Sequence, residues 1–249
     1  MGEVSSRVVT LDAVGSTNAE ALERARAGEA GPLWIVARRQ TAGRGRRGRR
    51  WISEPGNLYA SLLLSDPANA GAVSGLCFVA ALALHDAILD TAHGLPPAPL
   101  KLKWPNDVLF AGRKLAGILV EGVSIDRKSV AVVGFGVNCS EYPGDVEFPA
   151  TDLRTSGYPI DPKALFASLT KRMEGRLAEW QRGENFSAIR SAWLVRASGI
   201  GDPVEVRLTD RSIAGTFDAI DPNGALVLRH RDGTRETIAA GDVFPLTAA

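Results

Sequence analysis

Apolar and polar positions along the chain follow two different periods, and each period predicts a type of element. Short runs rich in β-branched and aromatic residues, several of them alternating with polar residues, indicate strands. Longer Ala- and Leu-rich segments with apolar residues three or four positions apart indicate helices. Up to Gly199 the predicted strands cover residues 8–11, 33–40, 57–64, 100–104, 105–110, 113–123 and 129–138. The predicted helices cover residues 19–28, 72–89, 162–181 and 186–196.

The second predicted helix is apolar enough to raise the question of a membrane span. Its sequence, AVSGLCFVAALALHDAIL, carries His85 and Asp86 inside the apolar run. A membrane span needs about 20 residues with few or no charges. We therefore predict a buried core helix and no membrane partner.

The pattern of apolar, polar and turn residues changes after Gly199. Short segments, several of them alternating, are separated by turn signals such as Pro222-Asn223-Gly224 and Asp232-Gly233-Thr234. This pattern predicts a compact all-β module of about fifty residues, a small barrel. We therefore predict two domains, residues 1–198 and residues 199–249.

The composition is that of an ordinary soluble globular chain. Its 249 residues are 45% hydrophobic and 23% charged, and its two cysteines, Cys77 and Cys139, stand apart in apolar surroundings. Isolated thiols without a Cys/His cluster indicate a reducing compartment and no zinc site. The N-terminus has no apolar run typical of a secretory signal, so a cytoplasmic location is expected.

The positive charge of the chain is concentrated in one segment. Residues 38–50, RRQTAGRGRRGRR, contain seven arginines, whereas the net charge of the whole chain is +1. Removing these seven charges from +1 leaves −6. A general nucleic-acid binder more often spreads Lys and Arg over a face. The basic segment therefore points to a local task.

Three glycines give this segment a G-x-G-x-x-G spacing, at Gly43, Gly45 and Gly48. A dinucleotide-binding loop with that spacing has to open a helix, and the Pro55-Gly56 turn follows instead. Seven like charges resist ordering until a polyanion binds. Guanidinium groups bind phosphate in bidentate fashion, and glycines let the backbone approach closely, which favours a clamp for nucleotide phosphates. The outer arginines are expected to stay solvated charges: Arg38, Arg39, Arg49 and Arg50.

Three further segments are ordinary when each is taken alone. Ser16-Thr17-Asn18 stands at a predicted helix start, where such residues cap the helix. Residues 101–107, KLKWPND, end a strand in a polar turn. Residues 113–119, RKLAGIL, begin a strand after a tight turn, so that Lys114 would be solvated and Gly117 would be a β-bulge.

Together and in this order, the segments closely resemble the biotin protein ligase family, the biotin–[acetyl-CoA-carboxylase] ligases. The resemblance runs over about residues 9–195, and the C-terminal module is similar to the family's small SH3-like domain. It implies an α+β fold, in which a mixed β-sheet flanked by helices, akin to class II aminoacyl-tRNA synthetases, precedes a small SH3-like β-barrel. The matching pieces are STN at 16–18, RRQTAGRGRRGRRW at 38–51, KWPNDV at 103–108, RKLAGILVE at 113–121 and GFGVN at 134–138.

The family joins biotin to AMP using ATP and Mg²⁺, and then passes the biotinyl group to a lysine of a carrier protein. The resemblance therefore implies biotin, ATP and Mg²⁺ as ligands. It implies as partner the biotin carboxyl carrier domain of acetyl-CoA carboxylase or a related carboxylase. Some members carry an N-terminal DNA-binding domain, but here the match starts within about fifteen residues of Met1. We expect the monofunctional type, with no nucleic-acid partner.

The resemblance also assigns roles to individual residues. It implies catalytic roles for Lys114, Arg44 and Arg46, which hold the biotin carboxylate and the phosphates together, and for Asp107, which orients or deprotonates the acceptor lysine. For biotin it implies Ser16, Thr17, Asn18 and Gln40 at the ureido ring, with Gly43, Gly45, Arg46, Lys114 and Gly117 around the rest of the molecule. For the nucleotide it implies Arg44, Arg46, Trp51 stacked on adenine, Asn106, Lys114 and Asn138. The metal ligands are left unspecified.

Two alternatives make different demands on these residues. A lipoate ligase-like acyl transferase belongs to the same superfamily, but lipoate has no ureido ring. Gln40 and the Ser-Thr-Asn segment would then lack a partner, and a site built for such polar pairing rejects analogues without it. A nucleic-acid-binding module built on the arginines would need no ATP and would weaken steeply with salt.

Overall fold

A computed structural model describes residues 6–68, 70–144 and 146–246 of the chain. The helices in these ranges are α1 (Thr17–Arg26), α2 (Leu76–Thr91), α3 (Pro162–Trp180) and α4 (Phe186–Val195). The strands are β1 (Arg7–Val14), β2 (Leu33–Gln40), β3 (Leu58–Ser65), β4 (Leu100–Lys103), β5 (Asp107–Phe110), β6 (Arg113–Ile125), β7 (Lys128–Val137), β8 (Pro203–Arg207), β9 (Ser212–Ile220), β10 (Leu226–Arg229), β11 (Arg235–Ile238) and β12 (Asp242–Pro245). Every helix and strand predicted from the pattern is present, with small shifts of its ends.

The first seven strands form one mixed sheet in the order β1-β2-β3-β7-β6-β5-β4. β1 and β2 run parallel, and the other neighbours pair antiparallel. The last five strands form a separate antiparallel sheet in the order β11-β10-β9-β8-β12, called the C-terminal sheet below. The predicted architecture, a mixed sheet flanked by helices and followed by a small β module, is confirmed.

The two faces of the mixed sheet have different tasks, because successive side chains of a strand point to opposite sides. On β7, Val130 and Val132 pack with α1 through Ala21 and Leu22. The alternate residues of β7, such as Phe135, belong to the larger core on the opposite side, which α2, α3 and α4 cover. Residues 134 and 136 continue the α1-side series, and both are glycine. At this end of β7, the face toward α1 therefore carries no side chains.

Helix α2 lies in the middle of the larger core. By length and composition alone Gly71–Thr91 could cross a membrane, but 67% of its apolar window is buried inside the fold. The predicted helix over 72–89 starts later than expected, because Ala70–Gly75 winds as a 3₁₀ turn before α2 begins at Leu76. The prediction of a core helix is confirmed by the burial of its residues.

The C-terminal sheet is packed against the rest of the chain. The Trp104 indole donates to the Gly224 carbonyl over 3.0 Å, and the Arg190 guanidinium donates to the Ile220 carbonyl. The chain passes from the last bridge of the large domain at Ala197 to β8 across only a few residues. The division at residue 198 falls in this passage and stays a prediction.

A partly buried carboxylate, Asp86, forms ion pairs with two of the helical segments. Asp86 of α2 lies 2.6 Å from Arg176 of α3, 3.5 Å from Arg196 after α4 and 3.2 Å from the Nδ1 atom of its neighbour His85. Burial raises the pKa of Asp86, but hydrogen bonds from His85 and Arg176 outweigh it and bring the pKa down to about 2. Asp86 is therefore a stabilising anion in the folded chain.

Replacing Asp86 by asparagine lowers the free energy of unfolding at neutral pH by about 2–3 kcal/mol. A depressed folded-state pKa contributes stability above the unfolded pKa, roughly 3.9, and loses it as the pH falls toward about 2. Urea denaturation of both proteins at pH values around 7 and around 3 measures the difference, which shrinks in acid. Asp210→Asn, at an exposed turn, serves as the control. An equal difference at both pH values contradicts this assignment.

Candidate active site

The register of the mixed sheet places one row of residues across the α1 side. Tyr59 of β3 pairs with Gly136 of β7, Gly136 with Gly117 of β6, Gly117 with Asp107 of β5, and Asp107 with Lys103 of β4. Paired residues of neighbouring strands point to the same face. The row therefore has two glycines at its centre, Gly117 and Gly136, which are called the glycine floor below. Its charged end is formed by Asp107 and Lys103.

The glycines of this row make room for an indole ring. A Cβ atom at Gly136 would lie 2.5 Å from the Trp51 ring, and one at Gly117 would lie 3.1 Å from it. The indole of Trp51 thus rests directly on the sheet backbone. Its Nε1 atom is buried without a hydrogen-bond partner among the described residues. A buried N–H without a partner is costly, so this atom is available to a ligand acceptor.

A cavity of about 340 Å³ opens above the row. Thirteen of the predicted site residues line it: Ser16, Thr17, Asn18, Gln40, Arg44, Gly45, Arg46, Trp51, Asn106, Asp107, Lys114, Gly117 and Asn138. Gly43 does not line it. A Cβ atom at Gly43 would lie 2.4 Å from the Trp51 carbonyl oxygen and 2.6 Å from Ser53 Oγ, so this glycine serves the packing of the loop itself.

One end of the cavity is polar and uncharged. Gln40 Oε1 accepts from the backbone N–H of Thr17 over 2.8 Å and from its hydroxyl over 3.1 Å. Ser61 Oγ lies 2.7 Å from Thr17 Oγ1 and 2.6 Å from Asn18 Oδ1, and Asn18 Nδ2 donates to Glu121 over 2.7 Å. All three residues of the Ser-Thr-Asn segment are buried.

The capping interpretation of this segment does not hold. Ser16 occupies the N-cap position of α1, but within the described residues its side chain makes no capping hydrogen bond. The Thr17 N–H is satisfied by Gln40 of β2 instead. The Ser-Thr-Asn side chains therefore build the wall of a cavity, and they join α1 to three strands of the sheet.

The other end of the cavity holds two lysines around one carboxylate. Lys114 Nζ lies 2.6 Å from Asp107 Oδ1, and Lys103 Nζ lies 3.1 Å from Asp107 Oδ2. Burial raises the pKa of Asp107, but Lys114 and Lys103 together outweigh it and leave the pKa below its usual value. The expectation of a solvated Lys114 is wrong, since its side chain is paired and only 27% exposed. The β-bulge falls at Leu115, and Gly117 stays in register.

The arginine-rich loop between β2 and β3 has a defined fold. The Trp51 N–H donates to the Gly43 carbonyl over 2.9 Å, and the Gly45 N–H donates to the Arg49 carbonyl over 2.7 Å. Arg47 at its tip adopts the left-handed region, with φ of 55°. That seven like charges leave the loop loose without a ligand stays a prediction, but a carboxylate from outside the loop offsets part of this charge.

That carboxylate is Asp242, at the start of β12 in the C-terminal sheet. It lies 2.7 Å from Arg49, 3.4 Å from Arg47 and 3.5 Å from Arg46. Burial lowers the pKa of Arg46, and Asp242 works against that decrease. The expectation that Arg49 is merely solvated charge is wrong, because it forms the shortest of these pairs. Arg44 lies 3.5 Å from Glu121, so both arginines assigned to phosphate are paired with carboxylates.

Replacing Asp242 by asparagine makes the loop easier to open. Arg46, Arg47 and Arg49 then repel one another without the carboxylate that offsets them. We expect trypsin, which cleaves after arginine, to cut the native protein within residues 46–50 several times faster in the variant. Asp210→Asn, in the turn between β8 and β9, is the matched control on the same sheet. Equal cleavage rates in the two variants contradict the role given to Asp242.

Several lining residues were not predicted from the sequence. Lys103 is the first residue of the KWPNDV motif, but no role was predicted for it. Gly134 and Gly136 could have been predicted from the alternation of apolar residues along β7. Asp242 and Phe244 come from the C-terminal sheet, where no local pattern marks them. Across the described ranges no group of three or more His, Cys, Asp and Glu side chains is placed to hold a metal ion.

Fold and site together define the class of ligases that attach biotin or lipoate to proteins. The model of the Biotin/lipoate A/B protein ligase family matches residues 13–138, and that of the Biotin protein ligase C terminal domain matches residues 199–244. The chain is 44% identical over 239 residues to the Biotin–[acetyl-CoA-carboxylase] ligase of Paracoccus denitrificans, covering 92% of this chain and 96% of the relative. The chain belongs to the biotin protein ligase family, and it is a ligase.

Solved structures agree with this placement. The biotin protein ligase of Aquifex aeolicus in complex with biotin and ATP superposes with a TM-score of 0.80 at 28% identity, covering 97% of this chain and 99% of that one. The biotin protein ligase of Leishmania major in complex with biotinyl-5-AMP superposes with a TM-score of 0.66 at 25% identity, covering 94% and 99%. The predicted family, fold and enzyme class are thereby confirmed.

Proposed function

We propose that this chain activates biotin with ATP as biotinyl-5′-AMP and transfers the biotinyl group to a lysine of the biotin carboxyl carrier domain of a biotin-dependent carboxylase. One observation carries the proposal. A single cavity has a neutral hydrogen-bonding end at Thr17, Asn18 and Gln40, a glycine floor, and a cationic end at Lys114 and Arg46. These environments match the ureido ring, the apolar body and the carboxylate of biotin in that order.

The first step is attack of the biotin carboxylate on the α-phosphate of ATP. The two anions repel each other, and negative charge builds on the phosphoryl oxygens and the leaving pyrophosphate. Lys114, Arg44 and Arg46 are proposed to hold both groups, since their side chains face one cavity. In the ligand-free chain Arg44 is paired with Glu121 and Arg46 with Asp242. Phosphate oxygens would replace these carboxylates when ATP binds.

Biotin is proposed to lie over the glycines of the sheet. Its ureido group would exchange hydrogen bonds with Ser16, Thr17, Asn18 and Gln40. Backbone at Gly45 and Gly117, and the loop held by Gly43, would enclose the rest of the molecule. Lipoate has no polar head for this end of the site, which supports the biotin branch.

The nucleotide is proposed to meet Trp51, Asn106 and Asn138. The Asn106 amide donates to the Ile118 carbonyl and the Asn138 amide donates to the Thr151 carbonyl, so both side chains are held in fixed orientations. Trp51 would stack on adenine, for which it has to leave the glycines on which it rests. Mg²⁺ is proposed to arrive with ATP, coordinated mainly by phosphate oxygens and water, as is usual for nucleotide-bound magnesium.

The second step is attack of a neutral acceptor amine on the mixed anhydride. A lysine amine is normally protonated near neutral pH. Asp107, with its pKa held low, is a weak base but a strong anion, so we propose that it receives and orients the acceptor ammonium. A reducing compartment such as the cytoplasm suits the two free thiols, Cys77 and Cys139.

Pyrophosphate–ATP exchange tests the substrate class. The purified chain is assayed with MgATP and biotin, with lipoate in place of biotin, and with neither acid. Exchange that requires biotin supports the proposal, and exchange with lipoate alone supports the alternative acyl transferase. If folded protein shows no exchange with either acid, the proposed ligase function is contradicted.

A further inference from the structure

The two lysines that hold Asp107 stand in different surroundings. Lys103, on β4, lies against Oδ2, and its side chain is 11% exposed. Lys114, on β6, lies against Oδ1, and its side chain is 27% exposed. One carboxylate thus joins a closed-in cation to one that faces the cavity.

Two aromatic rings also lie close to the Lys103 ammonium. Its Nζ atom lies 4.2 Å from the centre of the Phe148 ring and 5.8 Å from that of Phe244, both within cation–π range. The Arg207 guanidinium lies 4.0 Å from the Phe244 ring. Lys103 is therefore a fixed charge, held between a carboxylate and two rings from the 140–160 loop and the C-terminal sheet.

Lys114 is less enclosed: among the described residues one ring, that of Trp51 on the loop, lies within cation–π range of its ammonium. Its ammonium lies 5.4 Å from the Trp51 ring and in the cavity that receives the ligands. The phosphates of ATP carry more negative charge than one carboxylate and compete with Asp107 for it. When Lys114 turns to the phosphates, Oδ1 loses its partner while Oδ2 keeps Lys103. A buried carboxylate that lost both partners would no longer stay ionised.

We propose that Lys103 is a positioning residue for biotinyl transfer. It holds Asp107 through Oδ2, so that Oδ1 stays in place to receive the ammonium of the acceptor lysine once Lys114 has moved to the phosphates. The inference rests on the roles proposed above for Asp107 and Lys114. It gives the two lysines separate tasks, Lys114 in adenylate formation and Lys103 in transfer.

The transfer step balances without a further reactant. The acceptor ammonium releases one proton to water and becomes a neutral amine beside Asp107. The amine nitrogen forms a bond to the biotinyl carbonyl carbon, and the bond from that carbon to the phosphate oxygen breaks. AMP leaves with the bonding electron pair, and the nitrogen loses its second proton as the amide forms.

The groups around Asp107 decide how transfer depends on pH. Losing Lys103 removes one of the two cations that keep the pKa of Asp107 low, so that this pKa rises. Burial raises the pKa of the Cys77 thiol to about 12, which keeps it neutral. Glu147 and Asp242, at the same cavity, are paired with Arg207 and with the loop arginines. The charged and titratable groups that face Asp107 are Lys103 on β4, Lys114 on β6, Arg46 on the loop and Cys77 on α2.

Lys103→Met separates the two half-reactions. Adenylate formation is followed by biotin-dependent pyrophosphate exchange. Transfer is followed in a single turnover from the isolated enzyme–biotinyl-AMP complex to the carrier domain of acetyl-CoA carboxylase. We expect exchange near that of wild type, transfer slower by about 10²-fold, and an acid limb of the transfer profile moved to higher pH. Lys103→Arg, which keeps the charge, restores the limb.

Hydroxylamine provides the matched control. It is a neutral nucleophile near neutral pH, so it needs no carboxylate to receive it, and the Lys103→Met complex is expected to react with it at the wild-type rate. Equal losses of exchange and transfer with an unmoved acid limb overturn the inference and leave Lys103 a structural residue. Should Lys103→Met be poorly folded, Lys103→Gln keeps a donor for Oδ2 without the charge, and an unmoved limb there also overturns it. Absence of exchange in wild type would instead refute the proposed function.

Discussion

Lys114→Ala lowers the rate of biotinyl-AMP formation by on the order of 10²–10³ while the fold is retained. Its ammonium lies at the cavity, 2.6 Å from Asp107 and with a side chain 27% exposed, where it can turn to the phosphates. Developing charge on a phosphoryl group is stabilised by donors fixed in advance, and losing one such donor costs about 3–4 kcal/mol. The loss is expected in kcat, because the interaction strengthens as charge develops.

The backbone around Lys114 does not depend on its side chain. The Lys114 N–H donates to the Pro149 carbonyl over 2.7 Å, and its carbonyl accepts from Thr151 over 3.0 Å. Circular dichroism should therefore match wild type, whereas urea denaturation should show a lower stability, because the buried Asp107 then keeps only Lys103 as a partner. Lys171→Ala, on the exposed side of α3, is the control for loss of one positive charge. Near-normal exchange by Lys114→Ala contradicts the site geometry.

Gly136→Ala weakens biotin binding by roughly ten- to a hundredfold. An added Cβ atom there would lie 2.5 Å from the Trp51 ring, which rests in the space that biotin is proposed to take, so the methyl group stands where the ligand has to lie. Overpacking of this kind costs about 1–3 kcal/mol, which corresponds to that change in Kd. Titration calorimetry with biotin measures the effect.

A second glycine shows whether the loss is specific. Gly175, in the middle of α3, has nothing within 4 Å of an added Cβ atom. Gly175→Ala is expected to bind biotin as wild type does and to be slightly more stable, because alanine favours the helix. If Gly136→Ala also binds biotin with wild-type affinity, biotin does not bind over the glycine floor.

The sequence was sufficient for those parts of the site that lie in local motifs. The residue types of the arginine loop suit phosphate binding, whereas the Ser-Thr-Asn segment and Lys114 received their roles only through the family resemblance of short motifs. The fold brings all three together at one cavity. Gly136 of the glycine floor could also have been predicted from the sequence. Residues 134 and 136 are glycines that interrupt a series of valines on one face of β7.

The remaining parts depend on contacts between distant segments. Asp242 meets the loop arginines across the interface with the C-terminal sheet, and Phe244 covers Lys103 from the same strand. Neither residue stands in a pattern that marks it, because β12 is a short strand of ordinary composition. The sequence shows seven like charges in the loop, but the carboxylate that offsets part of them could be found only in the fold.

Mass spectrometry of the reaction with and without an acceptor tests the central claim most directly. The chain, incubated with biotin and MgATP alone, is expected to accumulate biotinyl-5′-AMP bound to the protein and to release pyrophosphate. Addition of the carrier domain of acetyl-CoA carboxylase is expected to discharge the intermediate, with AMP released and one carrier lysine biotinylated. Release of ADP in place of pyrophosphate and AMP, or biotinylation of the carrier without a detectable adenylate, contradicts the account.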